Sequence, residues 1–256
     1  MLKLHFAKGR DNAKLYKLER KLGRLYTFSI LSGHNCPYAK ECKSQVNEVN
    51  GKLKLVDGPH RKFRCFSASM EVFFTRVYRA RKENTKIVEL AAVNKDEAVS
   101  VILTQIPPKC KVMRLHVGGD FKTQAYFDTW LMVAQQRPDI LFYGYTKSLP
   151  FWVKRLSEIP SNFRLVASKG GFRDDLIEKH GLRFAKVVYS KGEARKAKLS
   201  LDHDDTHAAT GQDSFALLLH GIQPKGSVEA AAVGHRLAKT TRYSLPRRTK
   251  NFVKAS

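Results

Sequence analysis

The sequence SGHNCPYAKEC at residues 32–42, followed by DGPHRKFRCFSAS at residues 57–69, decides the fold of this chain. The apolar run LYTFSIL at residues 25–31 leads into it and predicts a strand that ends in a polar loop. Three of the four cysteines lie in this stretch: Cys36, Cys42 and Cys65. The pattern predicts a strand that delivers a cysteine-bearing loop to one edge of a sheet.

Three thiolates at one strand end can ligate an iron–sulfur cluster and leave one iron open. They can equally ligate zinc, with His34 or His60 as the fourth ligand. Two other interpretations of the cysteines stay open from the residues alone. They can be small buried hydrophobic side chains, or thiols that carry out redox chemistry.

The composition predicts a globular, cytoplasmic protein that binds nucleic acid. The 256 residues are 43% hydrophobic, which is enough for a sizeable core, and the sequence shows no membrane span and no secretory signal. Four cysteines in this length do not indicate a disulfide framework. The formal net charge is +24, and such a field attracts polyanions. The charge is concentrated in three segments: residues 3–24, 61–86 and 236–254.

From residue 112 onward, apolar runs alternate with amphipathic segments, which predicts βα units and a mostly parallel sheet. We expect an α/β fold in a single domain over residues 1–256, with a basic segment at 1–24 and a basic tail at 225–256. We expect a short strand at 2–6, a loop or a short helix at 11–21, a hairpin or a loose loop at 46–56 around Asn50-Gly51, and one long helix after Cys65. The predicted parallel strands are 25–31, 112–117, 140–145, 163–167, 184–189 and 215–219.

Polar groups follow each predicted strand, and the carboxyl ends of parallel strands share one edge. We therefore expect one site to contain the cysteines and the strand-end groups. The candidates for binding a cofactor or an anion are Gly118, Gly119, Asp120, Lys147, Ser168, Lys169 and Lys191. Paired glycines give a ligand access to bare backbone, and three lysines at one rim repel each other unless an anion lies between them.

The segment LDHDDTHA places two histidines among three aspartates, a set that suits a divalent metal or acid–base chemistry. It can also be a solvated loop with Asp turn chemistry. The candidates for proton transfer are Asp120, His116, His220, Asp204 and His207. A metal-dependent phosphoesterase built on Asp202, His203, Asp204 and His207 is one alternative function.

The order strand, cysteine loop, long helix, strand and Gly-Gly-Asp resembles that of radical S-adenosylmethionine (SAM) enzymes. The resemblance implies a partial (β/α)6 barrel. It also implies a [4Fe–4S] cluster on Cys36, Cys42 and Cys65, and SAM bound by Gly118, Gly119 and Asp120. Asp120 stands where those enzymes have Glu, and 22 residues separate Cys42 from Cys65.

Several ordered motifs resemble the bacteriophage gene product 88 family, and they span nearly the whole chain. They are GHNCPYAKEC, DGPHRKFRCFSAS, RLHVGGDF, AYFDTWL, FYGYTKSLPFW, DHDDTHA and SFALLLHG. This resemblance implies a phage origin and the host cytoplasm. The expected function is an iron–sulfur, radical-SAM-like enzyme that acts on nucleic acid or nucleotides; a zinc-stabilised nucleic-acid-binding protein without catalysis is the second alternative.

Overall fold

The structure is a computed structural model that describes residues 2–239. Most of the basic tail predicted at residues 225–256 therefore lies outside the described residues. The elements follow in the order β1 (Phe6–Lys8), α1 (Ala13–Leu22), β2 (Leu25–Phe28), β3 (Ser44–Val49), β4 (Lys52–Asp57), α2 (Phe66–Phe73), α3 (Thr75–Val93), α4 (Lys95–Gln105), β5 (Val112–Leu115), α5 (Gln124–Gln136), β6 (Leu141–Thr146), α6 (Leu149–Val153), β7 (Phe163–Ser168), α7 (Asp175–Lys179), β8 (Phe184–Val188), α8 (Lys191–Lys196), β9 (Ser200–Leu201), α9 (Thr206–Thr210), β10 (Phe215–Leu218) and α10 (Val228–Lys239).

The central sheet has eight strands in the order β1-β2-β5-β6-β7-β8-β10-β9. Every neighbouring pair is parallel except β1 with β2. All six predicted parallel strands are present in this sheet, so the α/β fold with a mostly parallel sheet is confirmed. The predicted hairpin is also present, because β3 and β4 pair antiparallel around Asn50 and Gly51.

Both faces of the sheet are buried, and alternate residues of each strand belong to different cores. Phe142 of β6 lies in the larger core with α3, α4, α5 and α7, whereas Tyr143 lies in a smaller core with α1 and α9. Leu165 and Val166 of β7 divide in the same way. A parallel sheet covered on two faces needs apolar residues at successive positions, which is the pattern of these strands.

The chain before β2 differs from the expectation. The strand predicted at residues 2–6 is instead β1, three residues long, on the antiparallel edge of the sheet. The next segment forms α1, whose first turn is capped because the Asn12 side chain accepts a hydrogen bond from the Lys14 N–H. Leu15 and Leu18 of α1 are fully buried against the sheet. This helix therefore covers one face of the sheet beside the cysteine loop.

The single long helix predicted after Cys65 is two helices in the structure. Phe74 has extended backbone angles (φ −125°, ψ 91°) and separates α2 from α3. Val72 of α2 packs on the β3–β4 hairpin, while Ile87 and Val88 of α3 join the core of the sheet. The break lets one stretch of chain cover two different surfaces.

Candidate functional site

A cavity of about 470 Å³ opens at the carboxyl ends of the parallel strands. It receives side chains from the loop after β2, the loop after β5, the ends of β6 and β7, and the loop after β10. The predicted site residues that line it are Cys36, Cys42, Cys65, His116, Gly118, Gly119, Asp120, Lys147, Ser168 and His220. Residues distant in sequence thus meet at one edge of the sheet, as the parallel topology requires.

The cysteine loop is held in place by contacts to its own backbone and to the loop after β7. The Lys43 ammonium donates to the carbonyls of Gly33 (2.7 Å) and Cys36 (2.8 Å). The backbone N–H of Glu41 donates to the Gly170 carbonyl, and Ala39 forms a bridge with Gly171. The loop therefore has a fixed position relative to the sheet.

The three loop cysteines are partly buried and close enough for their charges to interact. Burial raises the pKa of Cys36 well above its ordinary value, and the charges of Asp120 and the other two thiols add to this effect. Burial and then Cys42 raise the pKa of Cys65 to about 12. Within residues 2–239, no three His, Cys, Asp or Glu side chains converge closely enough to hold a metal ion. The thiols share a cavity without forming a closed tetrahedral site.

The other cysteine and the two candidate zinc histidines lie elsewhere. Cys110 precedes β5, at the opposite end of that strand from Gly118, and burial raises its pKa to about 12. His34 is exposed, and its Nε2 lies 2.9 Å from the Val46 carbonyl. His60 is exposed, and its ring contacts the edge of Phe172. Neither histidine is among the residues that line the cavity.

The Gly-Gly-Asp segment lines the cavity, but its glycines are also required by packing. A Cβ on Gly118 would collide with Ser67 Oγ and the Arg81 guanidinium, and a Cβ on Gly119 (φ +81°) would collide with Ile30. The Gly118 carbonyl accepts from the Ile30 N–H and its N–H donates to Ser29 Oγ. Both polar backbone groups of Gly118 are therefore paired within the chain, and its contact with a ligand stays a prediction.

Asp120 is a buried carboxylate held by three donors. Its Oδ1 accepts from Thr146 Oγ1 (2.6 Å) and the Phe121 N–H (2.7 Å), and its Oδ2 accepts from the Lys147 N–H (2.8 Å). Burial raises the pKa of Asp120 to about 6 despite these hydrogen bonds. An ionised carboxylate offers about four acceptor positions, so one remains for a ligand.

His116 is buried at the centre of the cavity wall, in the left-handed backbone region (φ +60°). Its Nε2 lies 3.0 Å from the Tyr126 hydroxyl, and its ring packs against the edge of Phe121. Its Nδ1 is buried without a partner among the described residues. Burial lowers the pKa of His116 to about 3, so the imidazole is neutral at physiological pH.

Of the three strand-end lysines, one lines the cavity and two do not. Lys147 lines the cavity, but its ammonium already donates to the Ser168 carbonyl, Ser168 Oγ and the Lys169 carbonyl, at 2.6–2.8 Å. Lys169 instead lies over the Phe184 ring, 4.3 Å from its centroid, and Lys191 is exposed at the start of α8. Lys147 is therefore paired with oxygens of the chain, and Lys169 and Lys191 do not line the cavity, so the argument for an anion between these lysines does not hold.

The acidic segment at residues 202–207 is mostly occupied by its own backbone. Asp202 accepts from the N–H groups of Asp204 and Ala208, and Asp204 accepts from that of Thr206. His207 Nδ1 lies 3.7 Å from Asp202 Oδ1, and neither Asp204 nor His207 lines the cavity. These two candidates for proton transfer therefore lie outside the site, because the loop uses its carboxylates to build turns.

Sequence reasoning assigned His203 and Asp205 only to the acidic segment and missed Arg114 and Lys17, which lie with them on the other side of the cavity. Asp205 is buried and ion-paired with Arg114 (2.6 Å), and it accepts from the Tyr143 and Tyr145 hydroxyls. Lys17 of α1 lines the same side. One signal was available, since Arg114 is the charged residue of an otherwise apolar strand and a buried charge needs a partner.

Comparison with known proteins identifies the family of the chain. No curated protein and no solved structure matches it. In the part of the chain that the structure describes, no helix is long and apolar enough to cross a membrane. The family model for gene product 88 matches residues 4–241 of the 256, and the chain therefore belongs to the gene product 88 family.

Proposed function

We propose that this protein is an iron–sulfur enzyme of radical-SAM-like type that acts on nucleotides or nucleic acid. The observation that carries the proposal is the position of Cys36, Cys42 and Cys65. All three line one cavity at the carboxyl ends of the parallel strands, together with Gly119 and Asp120. The sequential order of the six parallel strands from β2 to β10 is compatible with the partial (β/α)6 barrel that we propose for the sheet.

The donor chemistry of the cavity fits a cluster. Burial raises the pKa of the Cys36 and Cys65 thiols, and neighbouring charges add to it, so these two thiols are costly to ionise unless a cation shares the cavity. A structural zinc site takes four protein ligands, whereas three cysteines can hold a cluster with one iron left open. The cavity is lined by the three cysteines and by neither His34 nor His60, which suits a cluster better than the proposed zinc site.

The chain's own residues have separate tasks in this proposal. Cys36, Cys42 and Cys65 would hold the cluster, which would supply one-electron transfer. Gly119 and Asp120 line the same cavity and would contact SAM, with Asp120 offering its remaining acceptor position to a donor such as an ammonium. Neutral His116 can exchange a hydrogen bond at Nδ1 with a bound molecule without carrying charge into the cavity.

Two observations count against the alternative functions. His34 and His60, the candidate fourth ligands for zinc, do not line the cavity. Asp202 and Asp204, on which the phosphoesterase was built, accept hydrogen bonds from backbone N–H groups of their own loop. The cavity that contains the three cysteines therefore remains the proposed active site.

The nucleic-acid part of the proposal is supported by charge. The formal net charge of +24 is far beyond what solubility requires, and it is spread over several segments of the chain. Membership of the gene product 88 family supports the proposal of a bacteriophage protein that works in the host cytoplasm.

The test is metal retention in single cysteine variants. Cys36→Ala, Cys42→Ala and Cys65→Ala should each lose most of the iron and sulfide that the wild-type chain holds after anaerobic purification, because each removes one of three ligands. Cys110→Ala is the matched control and should keep wild-type content. The assignment is wrong if all four variants retain the same amount of iron.

A further inference from the structure

The two sides of the cavity differ in charge. On the cysteine side, the Lys147 ammonium donates to three oxygens of the chain, and the Asp120 carboxylate offsets its charge. The other side, here called the basic wall, is formed by Lys14, Lys17, Arg114, Tyr145, His203 and Asp205. It contains three cationic side chains against the single carboxylate of Asp205, so its formal charge is positive.

Arg114 of β5 is a cationic side chain of the basic wall with one N–H group, at Nε, that has no acceptor among the described residues. Its Nη1 is paired with Asp205 Oδ2 (2.6 Å), and its guanidinium lies over the Tyr145 ring at 5.4 Å from the centroid. Its Nε, by contrast, is buried without an acceptor in the part of the chain that the structure describes. An unpaired buried donor on a charged group is costly, and an anionic ligand that draws the guanidinium toward the cavity would reduce that cost.

Helix α1 adds cationic side chains to the same wall. Lys14 and Lys17 are three positions apart, so they lie on one face of the helix, and both line the cavity. Lys17 is exposed. An anion at this wall would therefore be approached by a planar arginine and by a mobile ammonium, the two kinds of cation that bind phosphate.

Two aromatic rings also line the cavity. Phe63 and Phe66 contribute, and the Phe66 ring packs on His220 with centroids 4.7 Å apart. Flat apolar surfaces of this kind bind heterocycles by stacking. A volume of about 470 Å³ matches one small ligand and not a polymer.

We propose that the cavity binds a nucleoside monophosphate, with the phosphate against Arg114 and Lys17 and the base near Phe66. This names the substrate class of the proposed function. This proposal rests on the proposed function in one respect: both take the cavity as the site that binds the substrate. The phosphate would lie on the side of the cavity opposite the thiols, which leaves the sugar or base facing Cys36, Cys65 and His116.

The test is isothermal titration of the full chain at fixed low salt, with the four ribonucleoside 5′-monophosphates and their parent nucleosides as probes. At least one monophosphate should bind about tenfold or more tightly than its nucleoside, because only the former has a charged group for the basic wall. Inorganic phosphate should compete with it. Equal affinity of each monophosphate and its nucleoside would overturn the proposal, as would binding of oligonucleotides alone.

Two variants of α1 distinguish a phosphate contact at the basic wall from the attraction of the protein's overall positive charge. Lys17→Gln should weaken the monophosphate about three- to tenfold and leave the nucleoside unchanged. Lys21→Gln makes the same charge change one turn along α1, outside the cavity lining, and should have little effect. Equal weakening by both variants would contradict a local phosphate site.

Arg114→Lys provides a second variant. It keeps the charge beside Asp205 but removes Nε, and it should weaken monophosphate binding about tenfold or more. Its thermal midpoint is measured alongside, and unchanged affinity in a folded Arg114→Lys protein would exclude this arginine. Because the readout is ligand binding, the difference between monophosphate and nucleoside is measured whatever the iron content of the preparation. Failure of the cluster and failure of the phosphate site are therefore separate results.

Discussion

At the scale of single residues, His116 shows how the site departs from ordinary protein structure. It is a non-glycine residue with φ +60°, and it is 5% exposed. Both features cost free energy, since left-handed backbone disfavours most side chains and burial disfavours the imidazolium. Such strain is found where the surrounding structure fixes a side chain for a purpose.

The stability of the protein should therefore fall as the pH decreases through the histidine range. In the folded chain burial lowers the pKa of His116 to about 3, whereas the ordinary value is 6.5. Between these values the unfolded state binds the extra proton. The free energy of unfolding is then highest above pH 6.5 and falls toward pH 3, with a slope contribution from His116 of up to about 1.4 kcal/mol per pH unit.

Urea unfolding at a series of pH values checks this contribution. His116→Asn should flatten the slope between pH 6 and about 4, and Asn tolerates the left-handed backbone. The exposed His60→Asn is the matched control and should leave the slope as in the wild type. An unchanged slope in His116→Asn would contradict a pKa of this imidazole lowered by folding.

Sequence reasoning identified the residues whose position alone brings them to the cavity. Cys36, Asp120 and His220 follow parallel strands, and strand ends meet at one edge whatever the details of packing. It could not identify how a polar group is used, because that depends on neighbours distant in sequence. Lys147 lines the cavity, where it could bind a ligand, yet its ammonium donates to the carbonyls of Ser168 and Lys169.

At the scale of elements, the Arg114–Asp205 pair joins β5 to the start of α9. Asp205 is 4% exposed, has φ +63°, and accepts hydrogen bonds from two tyrosines of β6 as well as from the arginine. Ala208 and Ala209 of α9 are buried directly beyond it. The carboxylate thus anchors a short helix that has little apolar surface of its own.

Asp205→Asn should destabilise the chain by about 3 kcal/mol, because it leaves a largely buried arginine without its counter-charge. Asn also accepts the left-handed backbone, so the effect reports the charge and not the backbone. Thermal or urea unfolding measures the loss. Asp204→Asn is the control: that side chain is more exposed and caps the adjacent turn, a role that Asn also fills, so its effect should stay below about 0.5 kcal/mol. Similar losses in both variants would contradict the anchoring role.

The elements themselves were predictable where their signal is local. Asn50-Gly51 predicts the β3–β4 turn, since both residues adopt positive φ there. The break between α2 and α3 was not predictable, because Phe74 carries no helix-breaking side chain. Its extended conformation follows from packing α2 against the hairpin and α3 against the sheet, which are long-range contacts.

At the scale of the whole molecule, the distribution of charge predicts salt-dependent binding to nucleic acid. The affinity should fall linearly in a plot of log K against log salt. We expect a slope of about −4 or steeper on duplex DNA, which corresponds to about five phosphate contacts. Fluorescence anisotropy with a labelled duplex and a labelled single strand measures it.

The basic tail provides an internal comparison. Neutral substitution of its seven basic residues between 236 and 254 should reduce the magnitude of the slope, because fewer counterions are then released. A salt-independent affinity, or no binding at low salt, would remove nucleic acid from the proposed function.

The architecture of the whole molecule was the most predictable level. Apolar runs that alternate with amphipathic segments imply strands joined by helices, and such strands pair in parallel. Six predicted strands are found as parallel neighbours in chain order. The basic wall could not be predicted in the same way. It depends on α1 covering the sheet face beside Arg114, and the sequence before residue 25 allowed either a loop or a helix.

The central claim is that Cys36, Cys42 and Cys65 hold an iron–sulfur cluster in the strand-end cavity. Its most direct test is to purify the full chain without oxygen and to count iron, acid-labile sulfide and zinc per chain. The account predicts about four irons and about four sulfides, a brown protein, and little zinc. One zinc per chain with no sulfide, or none of the three, would contradict it.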